Sequence, residues 1–125
     1  MPTYKGSCHC GDVRFEIVKS EPIELFIDCN CSICTKKGIL HCPVQNGEFT
    51  LTADDGVVAL YQFGTGDARH QFCSKCGIHV FGRPRNHPER YTVNARCLDD
   101  FGALREMVTM LPFDGHNHPK DNRGG

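Results

Sequence analysis

Three cysteines within six residues, Cys29, Cys31 and Cys34 in "CNCSIC", constrain this chain more than any other feature. Two further clusters, "CHC" (Cys8, Cys10) and "CSKC" (Cys73, Cys76), bring seven of the nine cysteines into short spacings. An odd count disfavours a framework made only of disulfides. The N-terminal "MPTYKGSCHCGDVRF" has no apolar run followed by a small-residue cleavage site. No segment approaches the ~20 apolar residues of a membrane span. A soluble, cytoplasmic protein is expected, and in a reducing compartment clustered thiols point to metal or catalysis.

Chelation geometry divides the sulfurs. In C-x-C on an extended segment the two side chains point to the same side, and in C-x-x-C the chain turns back to offer two sulfurs from one loop. The glycines that follow the outer clusters, in "CHCG" and "CSKCG", permit the backbone such loops need. Zinc takes four ligands in a tetrahedron with Zn–S near ~2.3 Å. "CNCSIC" can deliver three ligands unaided, which leaves the outer pairs to close a four-thiolate site together. Four protein ligands make a structural site, whereas three and an open position make a catalytic one. The spacing therefore suggests two zinc ions per chain. Cys8, Cys10, Cys73 and Cys76 would hold the structural one, and Cys29, Cys31 and Cys34 the one with a vacant corner.

Other readings of the cysteines stay open at this stage. An iron–sulfur cluster needs four cysteines, or two with two histidines. A thioredoxin-like pair at "CSKC" would need a helix after it, where "GIHVFGR" looks like a strand. A zinc fold with only structural sites is the main rival. Cys42 and Cys97 stand alone and are read as small buried hydrophobes. None of the seven histidines is assigned as a ligand: His9 and His79 are outer groups or exposed, and "HNH" (His116–His118) falls in a polar tail.

The rest of the chain is punctuated like an all-β protein. Strands are expected at Asp12–Val18, Ile23–Cys29, Gly38–Val44, Glu48–Ala53, Val57–Phe63, Arg69–Cys73, Ile78–Arg83 and Arg90–Ala95. Only Leu98–Met107 looks helical, and Gly102 keeps it short. At 125 residues a single domain is expected, 1–113, followed by a flexible tail at 114–125. Fourteen Lys and Arg against fifteen Asp and Glu leave a net charge of −1, which speaks against nucleic acid as the main partner.

Taken in order, "GSCHCGDVRFEI", "CNCSICTKKG" and "QFCSKCGIHVF" resemble the glutathione-dependent formaldehyde-activating enzyme family, a wider family that includes centromere protein V. The resemblance runs from about Gly6 to Leu98, and "CNCSICTKKG" is closer to the centromere-protein branch. It implies a mainly β fold of twisted antiparallel sheets held by zinc, a β-tent, with one short helix near the C-terminus. By motif, its structural zinc falls on Cys8, Cys10, Cys73 and Cys76, and its catalytic zinc on Cys29, Cys31 and Cys34. Its implied activity is a carbon–sulfur lyase reaction, forming or cleaving S-(hydroxymethyl)glutathione, so the implied partners are a small thiol and an aldehyde.

An open position on a thiolate-bound zinc suits another soft sulfur. Three thiolates already leave the ion with net negative charge, so Lys36 and Lys37, just past Cys34, are candidate compensators. Arg69, Arg83 and Arg85 are candidates for gripping the carboxylates of an anionic substrate. The competing expectation is a zinc-stabilised protein-binding module without catalysis, as in the centromere-protein branch. The two differ in whether the open corner faces a pocket or a flat surface.

Overall fold

The computed structural model describes residues 1–85 and 87–117. Alternation decides the strands. In β2 (Val13–Val18), Val13, Phe15 and Ile17 are buried and Arg14 and Val18 exposed, the period-two signature of one face on a core. β2 pairs antiparallel with β1 (Thr3–Ser7) on one side and β5 (Phe49–Ala53) on the other, making a three-stranded sheet.

The second sheet has seven strands. Its order is β10 (Thr109–Phe113), β3 (Leu25–Cys29), β4 (His41–Val44), β9 (Tyr91–Asn94), β8 (His79–Arg83), β7 (Arg69–Cys73) and β6 (Val58–Tyr61). Every pair is antiparallel except β10 on β3, which run parallel. The molecule is mainly β and a single small domain, as expected.

The two sheets share one core. Val13, Phe15 and Ile17 from the small sheet join Phe26, Val44, Val80, Phe81 and Val93 from the large one. Phe49 bridges them, its ring 5.8 Å from Phe15, 5.1 Å from Phe81 and 4.7 Å from Tyr91. Aromatic contacts of this kind are worth about 0.5–1.5 kcal/mol each beyond the area they bury. Gly82 is required where β8 meets β7, because a Cβ there would collide with the carbonyl oxygen of Arg69.

All eight expected strands are present, Arg69–Cys73 with its expected bounds and the others with trimmed ends, and the expected helix is α2 (Phe101–Met107). Besides two short 3-10 helices, Asn46–Glu48 and Ala95–Cys97, three elements are additional. β1 carries Gly6, which lies too close to Phe15 and the Cys97 carbonyl for any side chain. β10 contains Pro112, which is tolerated because β10 is an edge strand. A six-residue helix, α1 (Ser32–Lys37), forms inside the cysteine motif despite its β-branched Ile33 and Thr35. It ends at Gly38, in the left-handed conformation at φ 67°, whose N–H donates to the Cys34 carbonyl.

Of the expected tail, Asp114–Asn117 follows β10 back over β3. The Asp114 carboxylate accepts from Asn30 Nδ2 at 3.1 Å, and the His116 N–H donates to Asn30 Oδ1 at 2.8 Å. Residues 118–125, including His118, lie outside the described residues.

Candidate active site

Two loops far apart in sequence bring the first four sulfurs together. Cys8 follows β1 in a turn through Gly11, and Cys73 ends β7, where the chain turns through Cys76 and Gly77. Gly11 and Gly77 have φ of 84° and 79°, as tight knuckles demand. The Sγ atoms of Cys8, Cys10, Cys73 and Cys76 all lie within 4.8 Å of one another. Cys10 Sγ is 3.6 Å from both Cys8 Sγ and Cys73 Sγ. A tetrahedron with ~2.3 Å arms has edges of about 3.8 Å, so this spacing fits four thiolates around one ion and no disulfide. Across the rim, Lys75 Nζ meets the Asp12 carboxylate at 2.7 Å, an exposed pair that adds little stability.

The middle cluster is built from one strand end and one helix turn. Cys29 ends β3, Cys31 is the N-cap of α1, and Cys34 sits one turn further on, on the same side of the helix. Their three Sγ atoms also lie within 4.8 Å of one another, and no fourth His, Cys, Asp or Glu among the described residues comes that close to all three. Hydrogen bonds with Cys29 and then Cys34 pull the Cys31 thiol far below its ordinary value, with help from the Arg85 charge. Hydrogen bonding to Cys29 and Cys31 pushes Cys34 upward, and hydrogen bonding to Cys31 pushes Cys29 upward. Gly115 closes one side: a Cβ there would come within 2.6 Å of Cys29 Sγ and 2.8 Å of Cys31 Cβ. Its carbonyl accepts from Arg85 at 3.1 Å. Each cysteine set could hold a metal ion, and the donor chemistry suits zinc.

The two sets differ in what they face. Cys29, Cys31 and Cys34 line a cavity of about 350 Å³, and none of Cys8, Cys10, Cys73 and Cys76 does. Ile27, Ile33, Phe63 and Phe113 supply its apolar wall. Arg69, Arg83, Arg85 and Arg90 line it as well, so three of the expected cationic residues reach it. Arg83 is held in place over the Tyr91 ring, 4.1 Å from its centroid, and donates to the Pro88 carbonyl at 3.0 Å. Lys36 and Lys37 do not line the cavity. Lys37 leans over the Phe72 ring and reaches His79 Nδ1 at 3.4 Å.

Histidines are the group that sequence reasoning passed over. His41, His70 and His79 all line the cavity. His41 Nε2 is 2.9 Å from Cys34 Sγ, and its Nδ1 is 2.7 Å from Thr92 Oγ1. The available signal was period two in β4, where buried Cys42 and Val44 alternate with His41 and Pro43, which line the cavity. His9 is exposed. Cys42 is fully buried in the core. Cys97 packs at the core's edge and donates its thiol to the His79 carbonyl at 3.5 Å. Burial pushes Cys42 up to about 11 and Cys97 up to about 12, so both stay protonated thiols.

These features have counterparts. The family model for the glutathione-dependent formaldehyde-activating enzyme matches residues 3–111. The chain belongs to the glutathione-dependent formaldehyde-activating enzyme family. A Halomonas elongata protein described as a "putative glutathione-dependent formaldehyde-activating enzyme" is 35% identical over 122 residues, covering 86% of this chain and 73% of the relative. A Rhodobacter sphaeroides protein of known crystal structure superposes with a TM-score of 0.74 at 32% identity, over 85% of this chain and 98% of that one. The stretch matched to the formaldehyde-activating family contains all seven clustered cysteines and the four cavity-lining histidines, His41, His70, His79 and His87, but stops short of Gly115. No helix among the described residues is long and apolar enough to cross a membrane.

The buried histidines predict a pH response. Burial, and then the nearby Lys37 charge, lowers His70 to about 4 and His79 to about 3. Below about pH 6.5 the unfolded chain takes up protons that the folded rings refuse, so stability falls as pH falls from about 6.5 toward about 4. For His79 the slope approaches about 1.4 kcal/mol per pH unit. In an NMR titration of the ring protons, both histidines should still be neutral at pH 5. A midpoint above pH 6 for either would contradict this environment.

Proposed function

We propose that the protein is a zinc-dependent enzyme of the carbon–sulfur lyase type, joining a small thiol, glutathione or a similar one, to formaldehyde or a similar aldehyde and releasing it in reverse. The proposed assignment is two zinc ions per chain, a structural one on Cys8, Cys10, Cys73 and Cys76 and a catalytic one on Cys29, Cys31 and Cys34. One observation carries the reading: the three-sulfur cluster opens into the cavity and the four-sulfur cluster does not. A protein-binding module would expose a flat surface there, so the cavity favours the enzyme. All nine cysteines are free, which suits a cytoplasmic setting.

Zinc held by Cys29, Cys31 and Cys34 would supply a soft Lewis acid with one open position, at which a thiol gives up its proton. The remaining work belongs to the chain. The cavity arginines fit the carboxylates of an anionic thiol such as glutathione, with Arg69 and Arg90 at the wall and Arg83 fixed over Tyr91. Arg85, beside Cys31, offsets the charge of the sulfur cluster. His41 steadies Cys34, and Thr92 in turn fixes the His41 ring. The apolar wall of Ile27, Ile33, Phe63 and Phe113 suits the aldehyde in its unhydrated form. The thiol sulfur bonds to the carbonyl carbon, the C=O π pair moves to oxygen, and that oxygen gains one proton for the one the thiol gave up, so nothing is released. No electrons are exchanged with any other partner.

The direct test is to add zinc-loaded protein to glutathione and formaldehyde and to follow, by NMR exchange spectroscopy, glutathione passing between its free and hydroxymethyl forms. Acceleration over buffer is the expected result. Equal exchange with and without protein would overturn the reading.

A further inference from the structure

Two histidines that line the cavity each keep one ring nitrogen unused by the folded chain. The Nε2 atoms of His70 and His79 are buried and lack any hydrogen-bond partner among the described residues. Their rings lie 6.1 Å apart, and both line the cavity that holds Cys29, Cys31 and Cys34. An unmet buried polar atom costs about 1–3 kcal/mol, so native proteins seldom keep one without a purpose.

The proton on His79 can be placed. Its side chain is 5% exposed, and Lys37 Nζ stands 3.4 Å from its Nδ1. An ammonium only donates, so Nδ1 must be the accepting nitrogen of a neutral ring. The single ring proton is then on Nε2, the atom that has no partner. Lys37 thus fixes the tautomer and places positive charge behind the ring. The backbone holds His79 independently of this arrangement, since its carbonyl accepts from Asn94 Nδ2 at 2.9 Å and from the Cys97 thiol.

From this we infer that His79 Nε2–H is an oxygen-binding site: it donates to the aldehyde oxygen as the thiol adds, and to the hydroxyl oxygen of the adduct. The inference rests on the thiol–aldehyde reading above and adds the group that receives the oxygen. The sulfur cluster takes the soft end of the adduct, and the imidazole takes the hard end. Negative charge grows on the oxygen as the C–S bond forms, so a buried donor backed by a cation helps most in the transition state. His79 is the catalytic residue of this arrangement. Lys37 is a positioning residue that never touches substrate, which explains why it matters without lining the cavity.

The test uses zinc-loaded protein and two small probes, 2-mercaptoethanol and ethanethiol, which share a thiol and differ in one hydroxyl. Ethanethiol reports docking of sulfur alone, and the hydroxyl compound adds the oxygen contact. Wild type should bind 2-mercaptoethanol about tenfold more tightly than ethanethiol, a ratio of the size that a buried donor confers. His79→Leu should bind both alike, while His79→Gln, which retains an N–H donor, should keep part of the preference. Long-range 15N NMR of the free wild-type protein should show the proton on Nε2. Lys37→Met should mix the tautomers and shrink the preference for 2-mercaptoethanol. Equal binding of the two thiols by wild type, or a proton found on Nδ1, would overturn the inference and leave the thiol-docking reading standing. Failure of either thiol to bind would instead strike the thiol-docking reading itself, and the inference with it.

Discussion

Replacing Cys73 with serine is expected to unfold the domain rather than merely weaken it. Cys73 is fully buried in the main core, where the β7 end meets the Cys8 loop, and its sulfur lies 3.6 Å from that of Cys10. In the two-zinc reading it is one of four ligands that fasten the first loop of the small sheet to the large sheet. Structural zinc contributes about 10–16 kcal/mol in small zinc domains, as much as or more than the whole ~5–15 kcal/mol stability of a typical domain. The variant should lose the cooperative thermal transition and be recovered with less than one zinc per chain. Cys42→Ser is the control, since Cys42 is just as buried but belongs to neither cluster. It should cost about 1–3 kcal/mol, the usual price of a hydroxyl in an apolar site, and keep both metals. A Cys73→Ser protein that melts like wild type with two zinc ions bound would refute the structural role.

Cys31→Ser should do the opposite, abolishing the proposed thiol–aldehyde exchange while leaving the chain folded. Cys31, Ile33 and Cys34 form a small cluster of buried residues separate from the main core. Loss of a ligand there removes no contact between the two sheets. Zinc content should fall from about two per chain to about one, and the catalysed glutathione–formaldehyde exchange should drop at least ~100-fold, the scale lost when a group acting in the transition state is removed. The melting temperature should move by only a few degrees, since ~1 kcal/mol shifts it by about 4–8 °C in a domain near this size. The same exchange rate in Cys31→Ser and wild type would mean that the three-sulfur cluster is not the reacting centre. The two cysteine variants are informative together, because one tests the part that holds the fold and the other the part that does chemistry.

How far the site was legible differs from one group to the next. The seven cysteines were, because chelating spacings are local: C-x-C, C-x-x-C and the CNCSIC triplet each place their sulfurs within a few residues. The arginines were legible as charge, yet the sequence alone could not tell Arg69, Arg83 and Arg85, which reach the cavity, from Lys36 and Lys37, which do not. The histidines were barely legible: only His79 of the three was singled out, as an outer group or an exposed residue. His41, His70 and His79 come from three different strands, and each looks like an ordinary polar residue in its own segment. Helix α1 was missed because Ser, Ile and Thr are modest helix formers. Its single turn is fixed by the αL cap at Gly38 and by burial of Ser32, Ile33 and Cys34 rather than by propensity.

Alternation of apolar residues and the placing of glycines were enough to make this chain mainly β, and the cysteine spacings were enough to sort the sulfurs into a set of four and a set of three. Those are short-range properties, written within a few residues of one another. Strand order was beyond reach of the sequence, and with it the parallel addition of β10, the return of Gly115 over Cys29 and Cys31, and the gathering of four imidazoles around one cavity. Each of these depends on which distant segments lie side by side, and that is chosen by the burial and hydrogen bonding of the whole chain at once.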